Sequence, residues 1–213
     1  MRTRRANAGF TLVELMIVVT IIGVGTALSS AGVADTFSEM RASRAALELV
    51  RIGRRAKVEA SGYMRAHMVW IQPTAKRVSL IRGTGWSCTN ENWVAQFTGA
   101  CGSLTSPCIE QVSFGVNTTY TNDPYPVRLD YALPGPVFSQ PDTALCYAPN
   151  GRMYSAQVGV GALAAAGAAL TPFNTGGGGF MFSVRRMEPD GTTPHGVTRW
   201  VVFPQGAPPR VLR

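Results

Sequence analysis

The hydrophobic pattern is strongest near the start of the chain. Residues 15–34 form a run of twenty positions without a formal charge, which is long enough to cross a bilayer as a helix. A single acid, Glu14, stands immediately before this run, and a carboxylate there is costly in lipid unless a partner compensates it. Arg2, Arg4 and Arg5 precede the acid and favour a cytoplasmic position for that end of the chain.

Behind the apolar run, the pattern becomes that of an amphipathic helix. No proline occurs between Phe10 and Ser61. Several positions recur at intervals of three and four residues, namely Ala45, Leu49, Ile52 and Ala56, with Leu47, Val50 and Arg54 beside them. The pattern predicts one continuous helix of about 50 residues, with Gly62 as its stop.

After Gly62 the pattern changes to that of β-strands. The predicted strands are 63–71, 77–81, 108–116, 126–133, 144–148, 152–156, 180–187, 198–203 and 210–213. Turn signals lie at 72–76 and at Pro149-Asn150-Gly151, whose Asn-Gly pair tolerates a positive φ. The stretches 83–107 and 159–179 are predicted loops. The fold class is therefore α+β, with a long N-terminal helix packed on a β-rich globular head.

Composition supports a packed head and does not require a nucleic-acid partner. Hydrophobic residues make up 46% of the 213 positions and charged residues 15%, as in a folded domain. The net charge of +8 falls to +5 without Arg2, Arg4 and Arg5, because 20 − 3 = 17 basic side chains then face 12 acids. This excess is modest.

Four cysteines follow the apolar run, at Cys88, Cys101, Cys108 and Cys146. If the arginines at the start stay in the cytoplasm, these cysteines lie on the oxidising side, where disulfides persist. Four cysteines allow three pairings. We predict Cys88 with Cys101 and Cys108 with Cys146. A zinc site is disfavoured, because no Cys-x-x-Cys pair occurs and the two histidines are far apart in sequence.

No enzymatic motif accompanies these features. The chain has no Gly-x-Ser-x-Gly elbow, and its histidines lack the spacing of metal ligands. We therefore expect a protein that is not an enzyme and that carries no cofactor and no metal.

The first residues resemble the type IV prepilin signature. The resemblance rests on Gly9-Phe10-Thr11-Leu12-Val13-Glu14 ahead of the uncharged run. It implies that a prepilin peptidase cuts between Gly9 and Phe10, that Phe10 is N-methylated, and that Glu14 meets the amine of a neighbouring subunit's first residue. A secretory signal peptide cleaved near Ala27-Leu28-Ser29 and an ordinary signal anchor are the alternatives. The first does not explain an apolar run that continues past that point, and the second does not explain Gly-Phe before the acid.

The same resemblance implies a domain plan, a location and a set of partners. The plan is a leader peptide at 1–9, a transmembrane and filament-core helix at 10–34, an amphipathic helix half at 35–61 and a β-rich periplasmic head at 62–213. The chain would cross the bacterial inner membrane once, with its N-terminus cytoplasmic, and then enter a pilus or pseudopilus. Its partners would be other minor and major pilins or pseudopilins, prepilin peptidase, the inner-membrane assembly platform and membrane lipid.

The head resembles the GspH/FimT group, which includes FimU. Three features carry this resemblance: the strand at 64–71 directly after the helix, the turn within 146–152, and the closing pair at 200–203 and 210–211. The resemblance implies a minor subunit at or near the tip of a type II secretion pseudopilus or a type IV pilus. Major pilins usually carry a proline in the apolar half of the helix, so its absence here favours a minor subunit.

A FimT-like subunit that binds DNA for natural transformation is the alternative function. The candidate DNA contacts are Arg185, Arg186, Arg199, Arg210 and Arg213, with Trp200 available for stacking on a base. A solvated basic face with Trp200 in the core explains the same residues without DNA. The sequence leaves secretion, pilus biogenesis and DNA uptake open.

Overall fold

The computed structural model describes residues 11–89, 91–93, 101–102, 106–114, 127–131, 141–159, 163, 169–172, 179–187, 193–204 and 207–212. Gly9, Phe10 and Arg213, which the sequence singles out, lie outside the described residues. The chain divides into two compact units, Met1–Ser38 and Glu39–Arg213. We call the second unit the head and describe each unit by itself.

The predicted helix is present as α1, Leu12–Tyr63, with 52 residues. The helix ends at Tyr63, one residue after the expected stop at Gly62. Met64, with φ of 53°, takes the left-handed conformation with which helices commonly end. A glycine usually occupies that position because it has no Cβ, and this preference made Gly62 the more plausible stop from sequence.

The described part of the head contains ten strands in two antiparallel sheets. We call the six-stranded sheet, of order β3-β2-β1-β5-β6-β7, sheet A, and the four-stranded sheet, of order β10-β9-β8-β4, sheet B. The strands are β1 His67–Gln72, β2 Arg77–Arg82, β3 Cys108–Ser113, β4 Val127–Tyr131, β5 Asp142–Tyr147, β6 Met153–Val158, β7 Thr171–Pro172, β8 Gly179–Met187, β9 Pro194–Pro204 and β10 Arg210–Leu212.

Each of the nine predicted strands has a counterpart, with shifted ends. β1 starts at His67 because α1 takes the residues up to Tyr63. β9 starts at Pro194, four residues before the predicted 198. β7 was not predicted; it is a two-residue strand at the edge of sheet A, too short to show the alternation by which strands are recognised.

The main core lies between α1 and the inner faces of both sheets. It joins helix residues such as Leu49 and Ile52 to Leu80 of sheet A and to Phe182 and Phe203 of sheet B. The two phenylalanine rings meet edge to face, with centroids 5.9 Å apart. A second cluster covers the other side of sheet A, so β1 and β5 are buried along their whole length.

Gly53 lets α1 approach sheet B closely. A Cβ atom at this position would lie 2.6 Å from Cε1 of Phe203 and 2.9 Å from Cγ of Pro209, closer than van der Waals contact allows. The other small residues that α1 buries in the core are Ala45, Ala46, Ala56 and Ala60. Small side chains on α1 therefore set its distance from the sheet.

Both disulfide pairings predicted from sequence are wrong. The structure joins Cys88 to Cys146 and Cys101 to Cys108. Cys146 lies on β5, opposite Met68 of β1, and this places it in the second core cluster beside Cys88. Cys108 begins the edge strand β3, and its carbonyl accepts the N–H of Gly102 at 3.0 Å, so the neighbouring Cys101 is its local partner.

Five charged side chains form a row of ion pairs that links α1 to β3. Glu110 accepts hydrogen bonds from Arg51 and, at 2.8 Å, from Arg55. Along the helix, Arg51 also contacts Glu48 at 2.6 Å and Arg55 contacts Glu59 at 2.6 Å. We call these five residues the ionic ladder.

The ionic ladder responds to acid through Glu110. Burial alone would raise the pKa of the Glu110 carboxyl, but the Arg51 and Arg55 guanidiniums lower it below its usual value. A carboxyl whose pKa is lowered on folding stabilises the fold above its unfolded pKa. Glu110 therefore adds to the free energy of unfolding at neutral pH, and this contribution is lost as the pH falls through the lowered pKa of its carboxyl.

Candidate assembly segment at the N-terminus

The helix begins with its own cap, directly behind the predicted processing residues. Thr11 precedes α1, and its Oγ1 accepts the backbone N–H of Glu14 at 3.3 Å, while its carbonyl accepts the N–H of Leu15 at 3.2 Å. Threonine is a favoured N-cap because it satisfies an N–H that has no partner in the helix. Glu14 lies in the first turn, where a negative charge is stabilised by the helix dipole.

Residues 11–26, which we call the apolar segment, are apolar on every side of the helix. Residues 15–19 are all large and apolar, and at 3.6 residues per turn five consecutive positions go fully around the axis. Ten large side chains are between 46% and 75% exposed: Leu12, Val13, Leu15, Met16, Ile17, Val18, Val19, Ile21, Ile22 and Val24. A helix that is hydrophobic all round needs an apolar environment, so this surface requires lipid or other helices around it.

The hydroxyls of Thr20 and Thr26 inside this surface are satisfied by the helix itself. Thr20 Oγ1 donates to the carbonyl of Met16 at 2.7 Å, and Thr26 Oγ1 lies 3.0 Å from the carbonyls of both Ile22 and Gly23. Threonine hydroxyls bond backwards in this way in helices that lack a polar environment. The hydroxyls therefore offer no strong polar contact to a neighbour.

Glu14 is then the one ionisable side chain of the apolar segment. It is exposed, as are all its described neighbours in residues 11–26. A carboxylate that enters lipid or a helix bundle needs a cation or strong hydrogen-bond donors. The segment thus combines a large apolar surface for burial with one charge that needs an external partner.

Comparison with known proteins identifies the motif in this part of the chain. Residues 4–30 match the family model of the prokaryotic N-terminal methylation motif. No curated protein and no solved structure matches the chain. The motif indicates a type IV pilin-like substrate of prepilin peptidase, with that peptidase and other pilins as partners in general, and it suggests membrane anchoring.

Within the described residues, no helix meets the length and hydropathy that a membrane span requires.

The predicted turn between β5 and β6 is present. Gly151 has φ of 79°, and its N–H donates to the carbonyl of Ala148 at 3.0 Å. The N–H of Arg152 donates to Oδ1 of Asn150 at 3.0 Å. Gly151 therefore takes the positive φ that the signal allows, whereas Asn150 does not and contributes through its side-chain oxygen.

The four described arginines of the proposed DNA contacts do not form one patch. Arg199 is opposite Val184, and Arg210 is opposite Val202. Directly opposed residues share a face of an antiparallel sheet, and successive residues alternate between faces. Val184 faces α1 in the core, so Arg199 lies on that face and Arg210 on the other.

The remaining two arginines lie on different faces of sheet B. Arg185 follows core-facing Val184 and shares the outer face with Trp200 and Arg210, whereas Arg186 is on the inner face. Arg186 is only 4% exposed, so it offers almost no surface to a ligand. Arg185 is half-buried, and its Nη2 donates to Ser183 Oγ at 3.3 Å. Trp200 is half-buried on the same face as Val202.

Glu39 makes a contact within the head that the sequence did not reveal. Its Oε1 accepts the N–H of Val197 at 3.2 Å, and its Oε2 lies 3.6 Å from Nη2 of Arg199. The contact binds the first residue of the head to β9, across a sequence separation of 158 residues. Nothing in a single sequence relates positions so far apart, so no local signal predicts this contact.

Proposed function

We propose that this chain is a minor subunit of a pilin-like filament, processed after Gly9 and assembled at or near the tip of a type II secretion pseudopilus or a type IV pilus. The observation that carries the proposal is the methylation motif at 4–30, placed on a capped helix whose apolar surface bears one exposed acid. We assign Phe10 as the first residue of the processed chain and expect it to be N-methylated.

The proposed assembly step compensates two charges at once. Processing at Gly9 would leave a free, positively charged amine on Phe10. The carboxylate of Glu14 on an adjacent subunit would form an ion pair with this amine. Each charge loses water when the helices pack together, and that loss is offset only if the two meet with good geometry. The apolar side chains around Glu14 exclude water from the pair and strengthen the attraction between them.

The assignment to a minor subunit rests on the head and on the helix. The strand after α1, the turn at Asn150 and Gly151, and the closing hairpin of β9 and β10 agree with the features that resemble the GspH/FimT group. The absence of proline before Pro73 supports a minor rather than a major subunit. DNA binding receives less support, because Arg186 is buried and Arg199 lies on the opposite face of sheet B from Arg185, Arg210 and Trp200.

The copy number in purified filaments tests the proposal. Filaments sheared from cells that produce the full chain are analysed by quantitative mass spectrometry. The chain is expected in the filament fraction at a small fraction of the main subunit, and a Gly9→Val chain is expected to be absent from that fraction. Abundance equal to that of the main subunit contradicts the minor role. Absence of the processed wild-type chain contradicts filament assembly.

A further inference from the structure

One line of exposed side chains runs along the head portion of α1. It consists of Met40, Arg44, Leu47, Arg51, Arg54 and Val58, and we call it the exposed stripe. The intervals are four, three, four, three and four residues, and this spacing keeps a seam on one side of a helix that faces another helix. Met40, Leu47 and Val58 are 45%, 60% and 69% exposed.

The head does not use the exposed stripe for its own folding. Ala45, Leu49, Ile52 and Ala56, at 0–6% exposure, form the helix side that packs on the sheets. The sequence grouped Leu47 with Val50, but only Val50 enters the core, at 6% exposure. Three large apolar side chains therefore remain in line on the helix side away from the core, at the spacing of a helix–helix seam.

The charge along the exposed stripe is positive. The nearby acids Glu48, Glu59 and Glu110 are all engaged in the ionic ladder. Among the described side chains no acid pairs with Arg44 or Arg54; Arg54 donates instead to the carbonyl of Pro209 at 3.2 Å.

This charge argues against a second copy of the chain as the partner. In a parallel pair each arginine of the stripe would meet its own equivalent. In an antiparallel pair with Met40 opposite Val58, Arg44 would lie opposite Arg54. Like charges at facing positions destabilise helix pairs, so both arrangements are unfavourable.

The pattern also differs from that of a helix that lies on a membrane surface. Such a helix needs a broad apolar face with basic residues on the opposite side. On α1 the broad apolar face is already buried in the head, and in the exposed stripe apolar and basic residues share one line. A protein partner with alternating apolar and acidic side chains matches this line better than lipid does.

We propose that the exposed stripe binds a helix of a different subunit of the same filament, one that presents apolar side chains and carboxylates at matching intervals. The inference rests on the proposed filament function and specifies the chemistry of one partner. Arg44 and Arg54 would pair with the carboxylates, and Leu47 and Val58 would pack between the apolar side chains.

Site-specific photo-cross-linking tests this inference in cells that assemble the filament. A photoreactive phenylalanine analogue replaces Leu47 in the full chain, and a matched variant carries it at Arg152, an exposed residue of the β5–β6 turn. The expected result is a cross-link from position 47, but not from 152, to a helical peptide of another pilin-like subunit that contains Asp or Glu. Charge reversal by Arg44→Glu with Arg54→Glu is expected to remove it.

Several outcomes overturn the inference. They are a cross-link between two copies of this chain, a lipid adduct, equal cross-linking from position 152, and no cross-link while the chain still enters filaments. Retention of the cross-link after the double charge reversal also contradicts it. Cleavage after Gly9 is measured in the same samples, so a failure of processing is recognised separately as a failure of the proposed function.

Discussion

Replacement of Glu14 by alanine is expected to leave processing intact and to reduce incorporation into filaments by about a hundredfold or more. The substitution removes the carboxylate but leaves the Phe10 amine of the neighbouring subunit to be buried without a counter-charge. Loss of one member of a buried ion pair costs about 3–5 kcal/mol, and each 1.4 kcal/mol corresponds to roughly a factor of ten. The measurement is the ratio of the chain in sheared filaments to the processed chain in whole cells.

Thr20→Ala provides the matched control for this experiment. Thr20 lies on the same helix and is exposed, but its hydroxyl already bonds to the Met16 carbonyl, so its loss removes no intersubunit charge. Incorporation of this variant is expected to remain near that of the unmodified chain. Equal incorporation of Glu14→Ala and Thr20→Ala would remove Glu14 from the assembly step.

Removal of the Cys88–Cys146 disulfide is expected to destabilise the head more than removal of the Cys101–Cys108 disulfide. The bridge joins residues 58 positions apart, and closing a loop of that size restricts the unfolded chain by about 4 kcal/mol. The Cys101–Cys108 bridge closes only 7 positions, which corresponds to about 2 kcal/mol. The urea midpoint of the Cys88→Ala, Cys146→Ala chain is therefore expected to fall well below that of the Cys101→Ala, Cys108→Ala chain.

Both double variants are compared with the unmodified full chain in the same detergent, by tryptophan fluorescence. Buried Trp93, whose Nε1 donates to the carbonyl of Cys88 at 3.0 Å, reports on the region of the longer bridge. A larger loss from the Cys101–Cys108 variant would contradict the ranking. Peptide mapping under non-reducing conditions checks the connectivity itself, and a Cys88–Cys101 peptide would contradict the pairing of Cys88 with Cys146.

The parts of the fold that the sequence predicts are those with local signals. The uncharged run, the three- and four-residue periodicity of α1 and the Asn150-Gly151 turn each depend on residues close together in the chain. The strands were also located, because alternation is a local pattern. Their ends shifted where a neighbouring element took residues, as α1 does at Tyr63.

The parts that the sequence did not predict depend on which strands become neighbours. The true partner of Cys88 follows from the pairing of β1 with β5, strands that are separated by more than 60 residues. The separation of Arg199 from Arg210 follows from the registers of β8 with β9 and of β9 with β10. A one-residue change of register moves a side chain to the other face, so composition alone could not decide whether these arginines meet.

In the candidate site, too, the sequence predicted the features that depend on neighbouring residues and missed those that depend on distant ones. The sequence identified Glu14 and the apolar segment, because the acid and the run are contiguous. It did not identify Glu39, whose partners Val197 and Arg199 lie on β9. The exposed stripe was within reach of sequence reasoning, since Met40, Leu47 and Val58 follow the spacing of a helix seam, but the burial of the opposite side was needed to separate this line from the core.

The most direct test of the account is the identity and mass of the first residue of the chain in filaments. N-terminal peptide mass spectrometry of the wild-type chain is expected to find Phe10 first, carrying one added methyl group. In whole cells, the Gly9→Val chain is expected to start still at or near Met1. A wild-type chain that begins near Ser29, or that retains residues 1–9, would contradict the pilin-like assignment. So would loss of the first nine residues from the Gly9→Val chain.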